Sequence, residues 1–203
     1  MRYDTRELPT TVDEYLRWEE GNTIKHEYVA GHVYPMMAVT VRHNQIMLNL
    51  AIALRQRVKR RGCQVLAAEV MFKVADDRFY YPDVMVACGK AAEVELVVTD
   101  PTLVAEITSK ATRRNDQHEK LDAYKRKASV RSYLIVDQRQ KHVVVVSRAA
   151  SGDWSTNEIS EGEIPLDCFG CTLRIDEIYE GVQLPPLSLR EEDELEGWEY
   201  EED

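Results

Sequence analysis

Apolar positions near the start of this chain follow the period of helices. Residues 11–14 form a capping box, and the residues after them give a short amphipathic helix. A longer helical pattern opens at Thr40 and is ended by Gly62, with apolar residues recurring every three or four positions. We therefore predict a short helix followed by a long one, and a hairpin between them. The hairpin is indicated by residues 25–29 and 32–36, which alternate around Ala30-Gly31.

The middle of the chain reads as strands and one further helix. Residues 65–74 and 79–88 predict two strands joined by a turn at Asp76-Asp77, and a less regular stretch leads to the strand that holds Glu106. Asn115 or Asp116 can cap a helix that runs to about Lys127.

The C-terminal half adds more strands. Residues 132–137 and 142–146 are both strongly apolar, which suits neighbouring strands buried on both faces. Two short strands around Phe169-Gly170 and a helix near residues 176–179 follow. The order of elements predicts an α/β fold of mixed α+β character, in which helices flank a central mixed β-sheet.

Composition and length bound the organisation of the chain. At 203 residues it suits one domain over residues 1–190, and residues 191–203 hold nine acidic residues and no basic one, which predicts a disordered acidic tail. No apolar run approaches the roughly 20 residues of a membrane span, and the polar start is unlike a signal peptide. We expect a cytoplasmic protein without a membrane partner. We also expect reduced thiols at all four cysteines, which are Cys63, Cys88, Cys168 and Cys171.

The net charge of −10 by itself argues against binding to nucleic acid, but the distribution of the charges changes this interpretation. Without the acidic tail, 27 acidic residues face 26 basic ones. The basic residues form two clusters: Arg55, Arg57, Lys59, Arg60 and Arg61, and then Arg113, Arg114, Lys125, Arg126, Lys127 and Arg131. Contacts to phosphates are one interpretation of these clusters, and solvated helix faces are an equally open one.

Three residues carry the candidate chemistry. Asp83 follows Pro82 in one predicted strand, Glu106 lies in the next, and Lys120 lies on the predicted helix one turn before Tyr124. Because side chains alternate along a strand, Asp83 shares a strand face with Met85, and Glu106 shares one with Val104 and Thr108. If the strands are neighbours, two carboxylates can hold one divalent cation beside an ammonium, as metal-assisted phosphodiester hydrolysis requires. Glu69, on the preceding strand, could add a ligand.

Other interpretations of these residues stay open on composition alone. Asp83 and Glu106 could be strand-end acids paired with nearby arginine or lysine. His43 could touch substrate, although a histidine bonded within its helix is commoner. Tyr124 is typical of a packing residue with a bonded hydroxyl. The spacing of Cys168 and Cys171 is that of a zinc or redox motif, but a second ligand pair is lacking from the sequence.

A set of motifs in fixed order runs through most of the chain. They are Glu27-Tyr28-Val29-Ala30-Gly31, Arg42-His43-Asn44-Gln45-Ile46, Phe79-Tyr80-Tyr81-Pro82-Asp83-Val84, Glu106-Ile107-Thr108-Ser109, Glu119-Lys120 with Tyr124, and Tyr133-Leu134-Ile135-Val136-Asp137-Gln138. In these the chain resembles the Uma-type family of restriction-endonuclease-like proteins, within the PD-(D/E)XK nuclease superfamily. The resemblance implies a restriction-endonuclease-like core, and DNA as substrate. It implies Asp83 and Glu106 as ligands of Mg²⁺, for which Mn²⁺ can substitute. Lys120 would act on the attacking water, and a homodimer would suit two-strand cutting.

The chain departs from that family pattern at two places. Glu69-Val70-Met71 stands where relatives read Asp-Met-Lys, and Lys73 is the candidate to replace the missing basic group. Ser109-Lys110 opens a stretch that usually reads Ser-Pro-Ser-Thr, so Lys110 is an alternative to Lys120, with Ser109 beside it. We predict a Mg²⁺-dependent endonuclease. The alternative is a non-catalytic DNA-binding or protein-interaction module on the same fold.

Overall fold

The computed structural model describes residues 8–89, 97–108 and 119–186. Its helices begin where the sequence provides caps, as at Thr11 and Thr40, whose side chains accept hydrogen bonds from backbone N–H groups of the first turn. No helix in these ranges is both long and apolar enough to cross a membrane. The helices are α1 Val12–Glu20, α2 Val41–Val58, α3 Leu121–Arg126 and α4 Ile175–Ile178.

The strands of the described residues fall into three sheets. The first has the order β2-β1-β5-β4-β7, the second β11-β10-β9-β8-β6-β3, and β12 and β13 pair separately. The strand bounds are β1 His26–Val29, β2 His32–Pro35, β3 Cys63–Ala67, β4 Met71–Ala75, β5 Arg78–Tyr80, β6 Val84–Cys88, β7 Val97–Val98, β8 Pro101–Thr108, β9 Ser132–Asp137, β10 Val143–Arg148, β11 Trp154–Ile159, β12 Glu163–Leu166 and β13 Cys171–Arg174.

Both larger sheets are mixed. β8 runs parallel to β9 and β4 runs parallel to β7, whereas the other strand pairs are antiparallel. A parallel pair needs a crossover connection, and the connection from β8 to β9 carries Lys120 and α3. The predicted fold class, mixed sheet with flanking helices, is confirmed. The predicted single sheet is instead two larger sheets.

The prediction of two long strands, at residues 65–74 and 79–88, is wrong. Each is broken, and its two halves pair in different sheets. The first break falls at Ala68 and Glu69, which both adopt a positive φ, at 49° and 50°. Non-glycine residues in this conformation interrupt the pleat of a strand. The second break falls at residues 81–83, which include Pro82. The chain thus crosses from one sheet to the other and back, and Asp83 lies at the return.

Alternating side chains of β6 and β8 enter separate cores. Val84, Leu103 and Ala105 pack against the buried face of α2, whereas Met85 and Val104 pack on the other side of the sheet. That second side also holds Tyr124 of α3 and aromatic residues of the five-stranded sheet. The faces predicted from the period of two are therefore confirmed. Asp83 and Glu106, by the same alternation, belong to the second side.

The expectation that all four cysteines are reduced is wrong for one pair. Cys63 and Cys88 form a disulfide. The two residues are register partners on the antiparallel strands β3 and β6, so the pairing of the strands itself brings their Cα atoms to 4.0 Å. Cys168 and Cys171 are free thiols.

Two leucines of α2 offer a matched test of the core. Leu54 is fully buried, whereas Leu48 is 49% exposed on the same helix. Leu54→Ala should lower the free energy of unfolding by about 3 kcal/mol, because it removes buried methyl groups and leaves a cavity. Leu48→Ala should change that free energy by less than about 0.5 kcal/mol. Urea denaturation followed by circular dichroism measures both. Equal losses would contradict the assigned face of α2.

Candidate active site

The pairing of β6 with β8 brings the predicted acids together. Val84 is the register partner of Ala105 in this antiparallel pair. Asp83 directly precedes β6, and Glu106 follows Ala105 by one residue in β8, so the pairing of Val84 with Ala105 brings the two acids to the same end of the ladder. Both side chains line one cleft there. The condition set by the sequence, that the two strands are neighbours, is met.

Asp83 is fixed by contacts on one of its oxygens. The backbone N–H of Ile107 donates to Asp83 Oδ2 at 2.7 Å. The ring nitrogen Nε2 of His43 lies 3.2 Å from the same oxygen. His43 stands in the first turn of α2, which Thr40 caps, so the capped helix end positions the imidazole. The other ring nitrogen of His43, Nδ1, is buried and has no hydrogen-bond partner within the described residues.

Glu106 receives hydrogen bonds from the crossover connection. Lys120 Nζ donates to Glu106 Oε1 at 3.1 Å, and the Tyr124 hydroxyl donates to the same oxygen at 3.0 Å. Lys120 directly precedes α3 with helical backbone angles, so it lies one turn from Tyr124 on the same face. Glu106 and Lys120 are deeply buried, with side chains 5% and 8% exposed. Glu106 and Lys120 are thus in direct contact, and Tyr124 is a buried residue whose hydroxyl is hydrogen-bonded to the same carboxylate.

A third acid, Glu27 of β1, completes this cluster, although the sequence analysis assigns it no role in the site. Its Oε1 lies 2.9 Å from Lys120 Nζ and accepts a hydrogen bond from the backbone N–H of Tyr81 at 3.3 Å. The available signal was its place at the start of the first family motif and, within β1, between His26 and Tyr28. Polar residues alternate along most hairpin strands, so this signal alone is weak.

The acids and Lys120 line one cleft of about 240 Å³. Within the described ranges its charged lining is three carboxylates against one ammonium, with His43 as a further titratable group. The rest of the lining is uncharged, with both apolar and polar side chains: Tyr34, Pro35, Met36, Met37, Ala38, Val39, Thr40, Tyr81, Ile107 and Gln138. The excess of carboxylates gives the cleft an electrostatic preference for a cation.

The donor set suits a hard divalent cation. Asp83 and Glu106 offer carboxylate oxygens, and Mg²⁺ is commonly bound by one or two carboxylates while it keeps several waters. No group of three or more histidine, cysteine, aspartate or glutamate residues is arranged to hold a metal in the part of the chain that the structure describes. The pair therefore fits Mg²⁺ or Mn²⁺ with water ligands, and does not resemble an all-protein zinc site.

Two predicted site residues lie away from this cleft. Glu69 is exposed in the turn between β3 and β4, not on a strand, because the chain changes sheets there. Lys73 lies on β4 and pairs with Asp76 at 2.9 Å. Neither residue is part of the cleft lining. Ser109 and Lys110 lie outside the described residues, so the structure does not compare Lys110 with Lys120.

Among the described residues, neither basic cluster contributes to the lining of the cleft. Arg55, Arg57 and Lys59 lie at the far end of α2 from His43, about 20 Å away at 1.5 Å per residue. Arg57 is also engaged with Glu177 of α4, which indicates a structural role. The second cluster includes Lys127, which donates to the backbone carbonyl of Lys73. Arg113, Arg114, Asn115 and Asp116 lie outside the described residues, as does the acidic tail.

The other candidate metal or redox site, at Cys168 and Cys171, gains no support. The two residues flank Gly170, which ends a 3₁₀ turn with a φ of 56°. Burial raises the pKa of the Cys168 thiol to about 12, with the nearby Cys171 and Asp167 adding to the shift. The thiolate is the form that binds metals and attacks disulfides. A thiol kept protonated in this way is typical of a packing residue.

Fold and site together define a mixed α+β protein with a cleft lined by the carboxylates of Asp83 and Glu106 and the ammonium of Lys120. A solved structure with this fold is described as a putative nuclease belonging to DUF820 from Anabaena variabilis ATCC 29413. It matches with a TM-score of 0.72 and 18% identity, over 86% of this chain and 100% of that one. At this identity the match establishes the fold.

The family is established by sequence. Residues 12–176 match the family described as "Uma2: Putative restriction endonuclease", and the chain belongs to that family. Two relatives come from Synechocystis sp. (strain ATCC 27184 / PCC 6803 / Kazusa). "Uncharacterized protein sll1609" is 27% identical over 73% of this chain and 86% of its own length. "Uncharacterized protein slr1290" is 27% identical over 84% of this chain and 91% of its own length.

The buried hydroxyl of Tyr124 predicts a loss of stability in alkali. Burial, followed by the charge of Glu106, raises its pKa well above the ordinary value of about 10. Above that pH the unfolded chain loses this proton and the folded chain keeps it, so the free energy of unfolding falls as pH rises. One such tyrosine contributes up to about 1.4 kcal/mol per pH unit. Tyr124→Phe should therefore flatten the decline above pH 10, measured by urea denaturation at several pH values.

The control for this experiment is Tyr34→Phe. Tyr34 is 50% exposed and lies outside the buried aromatic cluster of Tyr124. Its replacement should leave the alkaline decline as steep as in the wild type. A slope unchanged in Tyr124→Phe would show that this hydroxyl ionises as easily in the folded chain as in the unfolded one.

Proposed function

We propose that this protein is a divalent-cation-dependent endonuclease that hydrolyses DNA phosphodiester bonds in the cleft of Asp83, Glu106 and Lys120. The observation that carries the proposal is the convergence of these three side chains in one cleft. Two carboxylates and an ammonium, drawn from two neighbouring strands and a crossover, are the groups that this hydrolysis needs. Membership of a family described as restriction endonucleases supports the same reaction.

Asp83 and Glu106 are the residues that would hold the cation. Asp83 is oriented for this by the Ile107 N–H and His43, and Glu106 by Lys120 and Tyr124. A divalent cation supplies Lewis-acid stabilisation of the negative charge on a phosphoryl oxygen. Mg²⁺ is the proposed ion, and Mn²⁺, which also takes oxygen ligands, is the proposed substitute.

Lys120 is the proposed catalytic lysine. Its ammonium lies at the wall of the cleft beside Glu106, where it can orient the attacking water and stabilise the charge that develops on the phosphate. Deep burial keeps the ammonium inside the cleft, so little reorganisation is needed during reaction. His43, in contact with Asp83, is proposed as a supporting residue that keeps this carboxylate in place.

The assembly and the location of the enzyme remain predictions from the sequence. A homodimer would place two clefts on one duplex and allow both strands to be cut. It can be measured by sedimentation equilibrium. A cytoplasmic location would give access to DNA.

Removal of either acid should abolish cleavage. Asp83→Asn and Glu106→Gln each replace a carboxylate by an amide of similar size, which weakens the hold on a divalent cation. We expect the rate of nicking of supercoiled plasmid DNA in Mg²⁺ or Mn²⁺ to fall by on the order of 100-fold or more in each variant. Chelation with EDTA should stop the wild-type reaction.

The control variant is Asp176→Asn, since Asp176 is exposed and paired with Lys141 on the surface. It should cleave as fast as the wild type. Nicking that survives in both Asp83→Asn and Glu106→Gln would point to a contaminant or a different centre. DNA binding without turnover in any divalent metal would favour the alternative, a non-catalytic DNA-binding module.

A further inference from the structure

Glu27 is a carboxylate of the cleft that the proposed reaction does not use. Its backbone is held in β1, where it is the register partner of Tyr34 in β2. Its side chain reaches from the five-stranded sheet to Lys120 and to the backbone N–H of Tyr81, two residues before Asp83. Glu27 therefore has a fixed position from which it acts on Lys120.

Lys120 bridges two acids that belong to different sheets. Its Nζ lies 2.9 Å from Glu27 Oε1 and 3.1 Å from Glu106 Oε1. A cation that binds at Glu106 meets this ammonium on the same carboxylate, and like charges repel. A weaker contact between the ammonium and Glu106 would relieve this repulsion, and Glu27 is a second carboxylate that the ammonium already contacts.

Glu27 is not part of a group of metal ligands among the described residues. Within the described residues, Glu27, Asp83 and Glu106 do not form a three-carboxylate group arranged around one metal position. Its contact with Lys120 is direct, so it can influence a cation through the lysine without being a ligand.

We propose that Glu27 is a positioning residue that takes over the ammonium of Lys120 when a divalent cation binds to Glu106. This inference rests on the proposed function, because it assumes that Asp83 and Glu106 hold the cation. Glu27 would thereby let one cleft keep a lysine and a metal ion together. Without the charge of Glu27, the ammonium stays on Glu106 and competes with the cation.

A double-mutant cycle on the full chain tests this role by Mn²⁺ titration calorimetry. Glu27→Gln should weaken Mn²⁺ binding by about tenfold, as loss of a residue that orients a ligand does. Lys120→Met should remove the competitor. In the Lys120→Met background, Glu27→Gln should then change the Kd by less than about twofold, because the two residues act as one unit. Equal weakening in both backgrounds would overturn the inference, since Glu27 would then act on the metal directly.

Conservative and control variants separate positioning from folding. Glu27→Asp keeps the charge and should bind Mn²⁺ within about threefold of the wild type, even if thermal unfolding shows lower stability. Weakening by Glu27→Asp as large as that by Glu27→Gln would overturn the inference. Glu158→Gln, at an exposed position paired with His142, should leave the Kd unchanged.

The same titrations distinguish the inference from the proposed function. If Asp83→Asn removes Mn²⁺ binding but Glu27→Gln leaves the wild-type Kd unchanged, the inference fails and the proposed function stands. If the wild type binds no Mn²⁺, or Asp83→Asn binds as the wild type does, both fail.

Discussion

The contact on which this structure depends is the buried ammonium of Lys120 between Glu27 and Glu106. A charge removed from water is costly unless it is paired and hydrogen-bonded, and here each partner comes from a different sheet. The interaction therefore does two things at once. It neutralises part of the negative charge in the cleft, and it connects the five-stranded sheet to the six-stranded sheet through the crossover between β8 and β9. Both effects need Glu106 to lie on the side of the six-stranded sheet that packs against Tyr124 of α3. The alternation of side chains along β8 provides this.

Much of this arrangement could be predicted from local pattern. The alternation of side chains along a strand predicts the faces on which Asp83 and Glu106 lie, and one helical turn between Lys120 and Tyr124 predicts that they share a helix face. These rules act over a few residues and do not depend on the rest of the fold. The pairing of β6 with β8 cannot be predicted in this way, since no local signal states which strands are neighbours. The structure pairs these two strands, and the family match agrees with the resemblance.

The predictions that failed depend on backbone conformation or on distant pairing. The break at Ala68 and Glu69 arises from two non-glycine residues with positive φ, which propensity gives no reason to expect. Because of this break, Glu69 lies in the turn between β3 and β4 instead of on a strand, and it is exposed. The pairing of Cys63 with Cys88 follows from the register of β3 with β6, whereas the expectation of a cytoplasmic location favoured reduced thiols. Glu27 was missed because its partner is 93 positions along the chain.

The distance in sequence between the cleft residues has a consequence for synthesis of the chain. The acids at positions 27, 83 and 106 are all synthesised before Lys120. The parallel neighbour of β8, β9, is synthesised later still, after α3. Contacts of high sequence separation form late, because loop closure must precede them. A polypeptide that ends before residue 120 thus contains the three acids but lacks the ammonium that contacts Glu27 and Glu106. The buried ion pairs of the cleft therefore become complete only after the chain has been made and folded past residue 120.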